Sequence, residues 1–165
     1  MERSQPFLLR CTHGRLALEL RLLPAGQDWQ LLLTGGDAHI GAVILAEPAN
    51  AMPPDVPEAM SARTAGGRSR PGVMSDTASS GTEDGVRLHV LRRTGHHDDK
   101  AALPLARGYC RALKATVCVS AGIHYDHISR EEIDTVLALA RMLGACGLRR
   151  LRRLQENDHA DSERS

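Results

Sequence analysis

Histidine, aspartate and glycine recur together in three short stretches: Gly35-Gly36-Asp37-Ala38-His39-Ile40-Gly41, Gly95-His96-His97-Asp98-Asp99 and Gly122-Ile123-His124-Tyr125-Asp126-His127. They hold five of the eight histidines, and four aspartates with them. Three chemistries suit such a set. Neutral imidazoles from His39, His97 and His124 with a carboxylate from Asp98 or Asp126 are ligands for zinc or another divalent metal. The spacing matches no strong metal signature, and the run of two histidines and two aspartates also fits a solvated turn with an acidic helix cap. Histidine titrates near neutral pH and serves as a general acid or base, but no nucleophile accompanies it; Ser120, beside Ala121-Gly122, lacks an elbow motif. Glycine amides, imidazolium and a helix N-terminus near Asp99 or Ser129 also suit an anion such as a phosphate. For any single histidine, a cap or a structural hydrogen bond is the plainer role. Tyr125 has a ring that can stack on a planar ligand, or simply lie half-exposed.

Each stretch falls where a strand pattern starts or stops. Residues 15–22 alternate strictly, Leu16, Leu18, Leu20 and Leu22 on one side and Arg15, Ala17, Glu19 and Arg21 on the other, which predicts a strand with one wet face. Pro24-Ala25-Gly26-Gln27 supplies a turn, and residues 29–34 read as the returning strand. Residues 40–46 are apolar on both faces, as in a strand covered on both sides. Residues 86–92 alternate again. A helix over residues 99–114 places Ala102, Leu105, Ala106, Tyr109 and Leu113 on one face, with Asp98 or Asp99 as cap and Pro104 early in its course. Residues 116–121 make a fifth strand. Ser129-Arg130-Glu131-Glu132 has capping-box spacing and opens a second helix with the stripe Ile133, Val136, Leu137, Ala140 and Leu143. Gly144 and Gly147 offer a stop, beyond which helical spacing continues with a basic face.

The order β-β-β-insertion-β-α-β-α predicts an α+β domain, a two-layer mixed sheet with both helices on one face. A right-handed crossover makes the strands at 86–92 and 116–121 parallel, so the stretches that follow them share one edge. His39 joins them if the strand at 40–46 runs antiparallel to both.

Composition narrows the rest. Residues 48–84 have no Leu, Ile or aromatic residue, and they are read as a flexible insertion in a single domain spanning 1–155; residues 156–165 are read as a disordered tail. Phe7, Trp29, Tyr109 and Tyr125 are the only aromatics, so the core is aliphatic and an aromatic nucleic-acid platform is excluded. A formal net charge of +1 argues against a general polyanion binder. Arg141, Arg149, Arg150, Arg152 and Arg153 form a local basic run, either a solvated helix end or a contact for an acidic partner. No apolar run is long enough for a membrane span. Dispersed Cys11, Cys110, Cys118 and Cys146, without a CxxC pair or a leader pattern, predict a reducing, cytoplasmic setting.

At these same residues the chain resembles the LpdD-like prenylated-flavin chaperones, small proteins that accompany UbiD-type decarboxylases. The resemblance rests on Thr34-Gly35-Gly36, His39-Ile40-Gly41-Ala42, His97-Asp98, and Gly122-Ile123-His124-Tyr125-Asp126-His127-Ile128 leading into Ser129-Arg130-Glu131-Glu132, and it covers residues 15–46 and 86–143. It implies a fold similar to proteasome assembly chaperones and a non-enzymatic homodimer. Such a protein would bind reduced prenylated FMN made by a flavin prenyltransferase and assist its delivery to an apo-decarboxylase. His39, Gly41, His97, Asp98, His124 and Asp126 occupy the motif positions, and Gly35, Gly36, Gly122 and Tyr125 complete the expected cofactor site. The insertion and the Arg-rich C-terminus depart from the family's compact pattern. Two other readings use the same residues: a small metal-dependent or acid/base enzyme, and an assembly protein whose histidines are structural.

Overall fold

A computed structural model describes residues 5–49 and 79–162. The elements run β1 (Phe7–His13), β2 (Leu16–Ala25), β3 (Asp28–Gly36), β4 (Ala42–Pro48), β5 (Ser79–Glu83), β6 (Val86–Arg92), α1 (Asp99–Leu113), β7 (Val117–His124) and α2 (Arg130–Ser162). All strands join one mixed sheet in the order β1-β2-β3-β7-β4-β6-β5. The α+β class, the mixed sheet and the two helices are as expected. The sheet has two strands more than the pattern predicts, β1 and β5. Phe7, Leu9 and Cys11 do alternate inward, but outward-facing Leu8 blurs the period. The sequence of β5, SSGTE, has no apolar residue; it is an edge strand that pairs antiparallel with β6.

Strand direction decides where the three stretches go. β4 is antiparallel to both β6 and β7, and β7 is parallel to β3. The carboxyl ends of β3, β6 and β7 and the beginning of β4 therefore share one edge of the sheet, which meets the condition on His39.

The strictly alternating leucines bury as their period requires. Leu18, Leu20, Leu22, Leu31, Leu33 and Ile44 are fully buried on the face that carries the helices, each contributing about 1.5–3 kcal/mol by leaving water. From α1 come Ala102, Leu105, Ala106 and Tyr109, and from α2 Val136, Ala140, Leu143 and Leu151. Ile133, assigned to that stripe, is instead 42% exposed. Gly144 and Gly147 do not end α2. A Cβ on Gly144 would overlap Leu105, and one on Gly147 would overlap the Tyr109 hydroxyl, so both glycines let the helices close on each other. The Tyr109 hydroxyl donates to the Gly144 carbonyl at 2.9 Å.

The far face of the sheet carries half-buried Leu32, Val43, Leu45 and Cys118, with Leu8, Leu23 and Leu91 exposed. β4, expected to be covered on both sides, is thus only half-covered among the described residues. Of the presumed insertion 48–84, residues 50–78 lie outside those described, while Pro48 closes β4 and Ser79–Glu83 forms β5. The tail assigned as disordered is helical as far as Ser162, because no glycine or proline follows Gly147 to break α2. No helix is long and apolar enough to cross a membrane among the described residues.

Candidate functional site

The site is assembled from backbone outward. β3 ends at Gly36, whose φ of +59° turns the chain so that the Asp37 amide donates to the His124 carbonyl at 2.9 Å. Residues 37–41 then fold over the end of β7. The Gly41 amide donates to the Ala121 carbonyl at 2.9 Å, and the Gly41 carbonyl accepts from the Arg93 amide at 2.8 Å, which ties the start of β4 to both neighbours. The His39 backbone lies directly on Gly122, where any Cβ would overlap the His39 carbonyl. Glycine at 122 therefore sets how deep His39 sits.

From below comes Asp98. It occupies the N-cap position of α1, yet its side chain makes no capping bond. Instead Oδ1 accepts the Ile123 amide of β7 at 2.9 Å. The side chain is only 7% exposed, and Oδ2 lies 3.6 Å from His39 Nε2 and 3.5 Å from His96 Nδ1. The two imidazole nitrogens are 2.9 Å apart, with ring centroids separated by 4.7 Å. His39 Nδ1 faces the Asp37 carbonyl at 3.1 Å; a carbonyl only accepts, so Nδ1 carries a proton, and the neutral form of the ring presents its lone pair at Nε2. Gly41 is required here as well, since its Cβ would overlap Asp98 Oδ2.

A second group of side chains forms the outer rim. His124 is exposed; its Nε2 lies 3.3 Å from Asp126 Oδ1, and its ring centroid is 6.3 Å from that of His39. Tyr125 uses its hydroxyl on the backbone of β2, donating to the Ala17 carbonyl at 2.6 Å and accepting the Ala17 amide at 2.8 Å. Its ring lies against Gly35 and Gly36, at the place where β3 stops accompanying β2. Arg15 pins the loop from outside. Its guanidinium pairs with both Glu132 oxygens at 2.7 and 2.8 Å and donates to the Asp126 carbonyl at 3.0 Å. Glu132 also accepts the Ser129 amide at 2.9 Å, while its own amide donates to Ser129 Oγ at 3.2 Å, the reciprocal capping box expected of this sequence. The Arg15 bond, then the Ser129 amide, draws the half-buried Glu132 carboxyl down to about 2.

Of the expected residues, His39, Gly41, Asp98 and Gly122 meet at one point, with Gly35, Gly36, His124, Tyr125 and Asp126 along the adjoining rim. The arrangement differs from the expected one at the helix entrance. His97 is exposed and outside the cluster, and its neighbour His96 takes the place facing His39. The His96 amide donates to the Arg93 carbonyl at 3.0 Å; this turn aims one of two adjacent histidines inward, and no periodicity in the sequence tells which. Arg15 was also missed, because strand alternation marks it only as a residue of the wet face. The cysteines supply no nucleophile at this edge: all four are free, and burial raises the thiol pKa of Cys11, Cys110 and Cys118.

The family model of the prenylated flavin chaperone LpdD-like domain matches residues 12–69 and 65–152. The chain belongs to this family. No curated protein matches it. In this LpdD-like chain the matched segments include every residue of the His39, His96 and Asp98 cluster and of the rim around it. The edge combines a buried carboxylate, two imidazoles, glycine-lined backbone and a solvent-facing rim, a donor set able to hold an anionic oxygen, a proton or a metal cation. The basic run of α2 is separate from it. Arg150 packs over the Phe7 ring at 4.6 Å, while Arg141, Arg149, Arg152 and Arg153 are exposed.

Proposed function

We propose that this LpdD-like chain is a non-catalytic carrier that holds reduced prenylated FMN at the His39–Asp98–His124 edge and delivers it to an apo UbiD-type decarboxylase, having received it from a flavin prenyltransferase. The observation that carries this reading is the family match over residues 12–69 and 65–152; the meeting of His39, Asp98 and Gly122 at one edge of the sheet supports it, although His97 lies outside that cluster. A carrier must release what it binds, and an edge open to solvent along His124 and Asp126 suits release better than a closed cavity. Glycine amides and imidazoles suit the phosphate and the electron-rich ring of a reduced flavin. The same reading takes the protein as a cytoplasmic homodimer, paired through the sheet face that is uncovered among the described residues and presents Leu8, Leu23 and Leu91.

Anoxic titration of the purified protein with reduced and with oxidised prenylated FMN tests the proposal. Tighter binding of the reduced form is expected, together with faster activation of an apo-decarboxylase by loaded carrier than by free cofactor. Binding of neither form would sink the reading. Light scattering of the same sample gives the mass, expected at two chains.

A further inference from the structure

Three ligand atoms at this edge meet the requirements of a cation site. His39 Nε2, His96 Nδ1 and Asp98 Oδ2 form a triangle with sides of 2.9, 3.5 and 3.6 Å. Zinc bonds of about 2.0–2.2 Å place the corners of a coordination tetrahedron about 3.3–3.5 Å apart, close to the two sides that meet at Asp98 Oδ2, while the 2.9 Å side between the imidazole nitrogens must open by about 0.4 Å to complete a tetrahedral face. Two of the donors are oriented from behind. The His39 ring gives its other N–H to the Asp37 carbonyl at 3.1 Å, and Asp98 commits its other oxygen to the Ile123 amide at 2.9 Å. That is how ligating imidazoles and carboxylates are held at metal centres, with the outer partner fixing the tautomer and the direction of the lone pair. Charge agrees. Among the described residues Asp98 pairs with His39 and His96 and with no Lys or Arg, so whenever both imidazoles are neutral its buried carboxylate lacks a counter-charge, a costly arrangement that a divalent cation offsets.

We infer that His39, His96 and Asp98 bind one divalent transition-metal ion of the zinc class. Two imidazoles and a carboxylate form a borderline donor set that suits zinc and its first-row neighbours rather than magnesium or calcium. The carboxylate lies at the bottom, 7% exposed, and the imidazoles stand above it at 20% and 27%. The remaining coordination position therefore faces outward and takes water or an oxygen of an anionic ligand. His97, exposed and turned away, and His124, paired with Asp126, are not ligands.

The test uses the metal alone. Full-length protein stripped with a chelator is titrated with Co2+, followed by displacement with Zn2+. One equivalent per chain is expected, with the intense visible bands of low-coordinate Co2+. His39→Ala and His96→Ala should abolish the bands while keeping the wild-type circular dichroism; His97→Ala should leave them intact. Asp98→Asn keeps an acceptor for the Ile123 amide and so protects the fold, and it is expected to weaken uptake at least tenfold through the lost charge. No saturable uptake by the wild-type chain, or uptake that survives loss of both His39 and His96 in folded protein, overturns the inference. So does loss of uptake in His97→Ala. Flavin is absent throughout, so this result stands or falls apart from the carrier reading.

Discussion

β7 is gripped at both ends by an aspartate that accepts a backbone amide, and the two grips differ in everything else. At its start, Asp28 Oδ1 accepts the Thr116 amide at 2.9 Å from a position exposed to water. At its finish, Asp98 Oδ1 accepts the Ile123 amide at the same 2.9 Å, but the carboxylate is buried and its second oxygen points at two imidazoles. The first grip joins strands. The second joins strands and also presents a charge to a site. Glycines show the same division. Gly26, in the β2–β3 turn near Asp28, has φ of +70° and open space around its missing Cβ. Gly122, near Asp98, needs no positive φ but has the His39 backbone against it. Gly26 serves only the shape of the chain, whereas the site end, which has its own turn glycine in Gly36, also uses Gly122 to bring backbone and side chains into contact.

The largest effect that separates the two ends should come from Gly122→Ala. Its methyl group meets backbone rather than a side chain that can rotate away, so the 37–41 segment must lift and carry His39 with it. Overpacking of this kind costs about 1–3 kcal/mol. A lower melting temperature together with lost Co2+ uptake is the expected result. Gly26→Ala should lose about 1–2 kcal/mol from the left-handed backbone alone and retain the uptake. Equal loss of metal binding in both variants would mean that general stability, not contact at the site end, governs the cluster.

Next comes the pair of aspartates. Asp98→Ala strands the partly buried Ile123 amide, a loss of about 1–3 kcal/mol, whereas Asp28→Ala releases an amide that water can reach, a loss of about 0.5–1 kcal/mol. Urea unfolding measures both. Only the first should also abolish binding of cation or flavin, and an Asp28→Ala variant as damaged as Asp98→Ala would erase the distinction drawn between the ends.

How much of this the sequence carries varies by element. The alternation in β2 and the i, i+3, i+4 faces of α1 and α2 are direct consequences of burial on one side, and they are legible. β5 is not, because an edge strand held by backbone pairing alone needs no apolar signal. His39, Gly41, Asp98 and Gly122 stand out by residue type and position, and strand order brings them to one edge. His96 does not stand out from His97, since a turn has no period from which to read a direction. Asp98 reads as a helix cap because capping is a local rule; its actual partner, the Ile123 amide, is 25 residues away and enters only with the tertiary fold. Arg15 likewise acts on residues more than a hundred positions along the chain.

The smallest predicted effect concerns that arginine, and it sharpens the comparison by asking whether the outer rim of the site end behaves like the interior or like the exposed far end. Glu132, hydrogen-bonded by Arg15 and by the Ser129 amide, has its carboxyl drawn down to about 2 from an ordinary 4.5. The folded state therefore binds fewer protons than the unfolded chain between those values, so this contribution is fully present above about 4.5 and is lost as the pH falls toward about 2. Both partners are partly exposed, with side-chain exposures of 49% for Arg15 and 28% for Glu132, and salt screens such pairs. Glu132→Gln should thus lower the urea midpoint at neutral pH by only a fraction of the shift in Asp98→Ala. Wild type and variant should converge as the pH approaches 2, and added salt should narrow the gap between them. A gap that persists undiminished at low pH would show that the effect does not come from the charge of the Glu132 carboxylate and so not from the ion pair, since glutamine keeps the capping-box pattern.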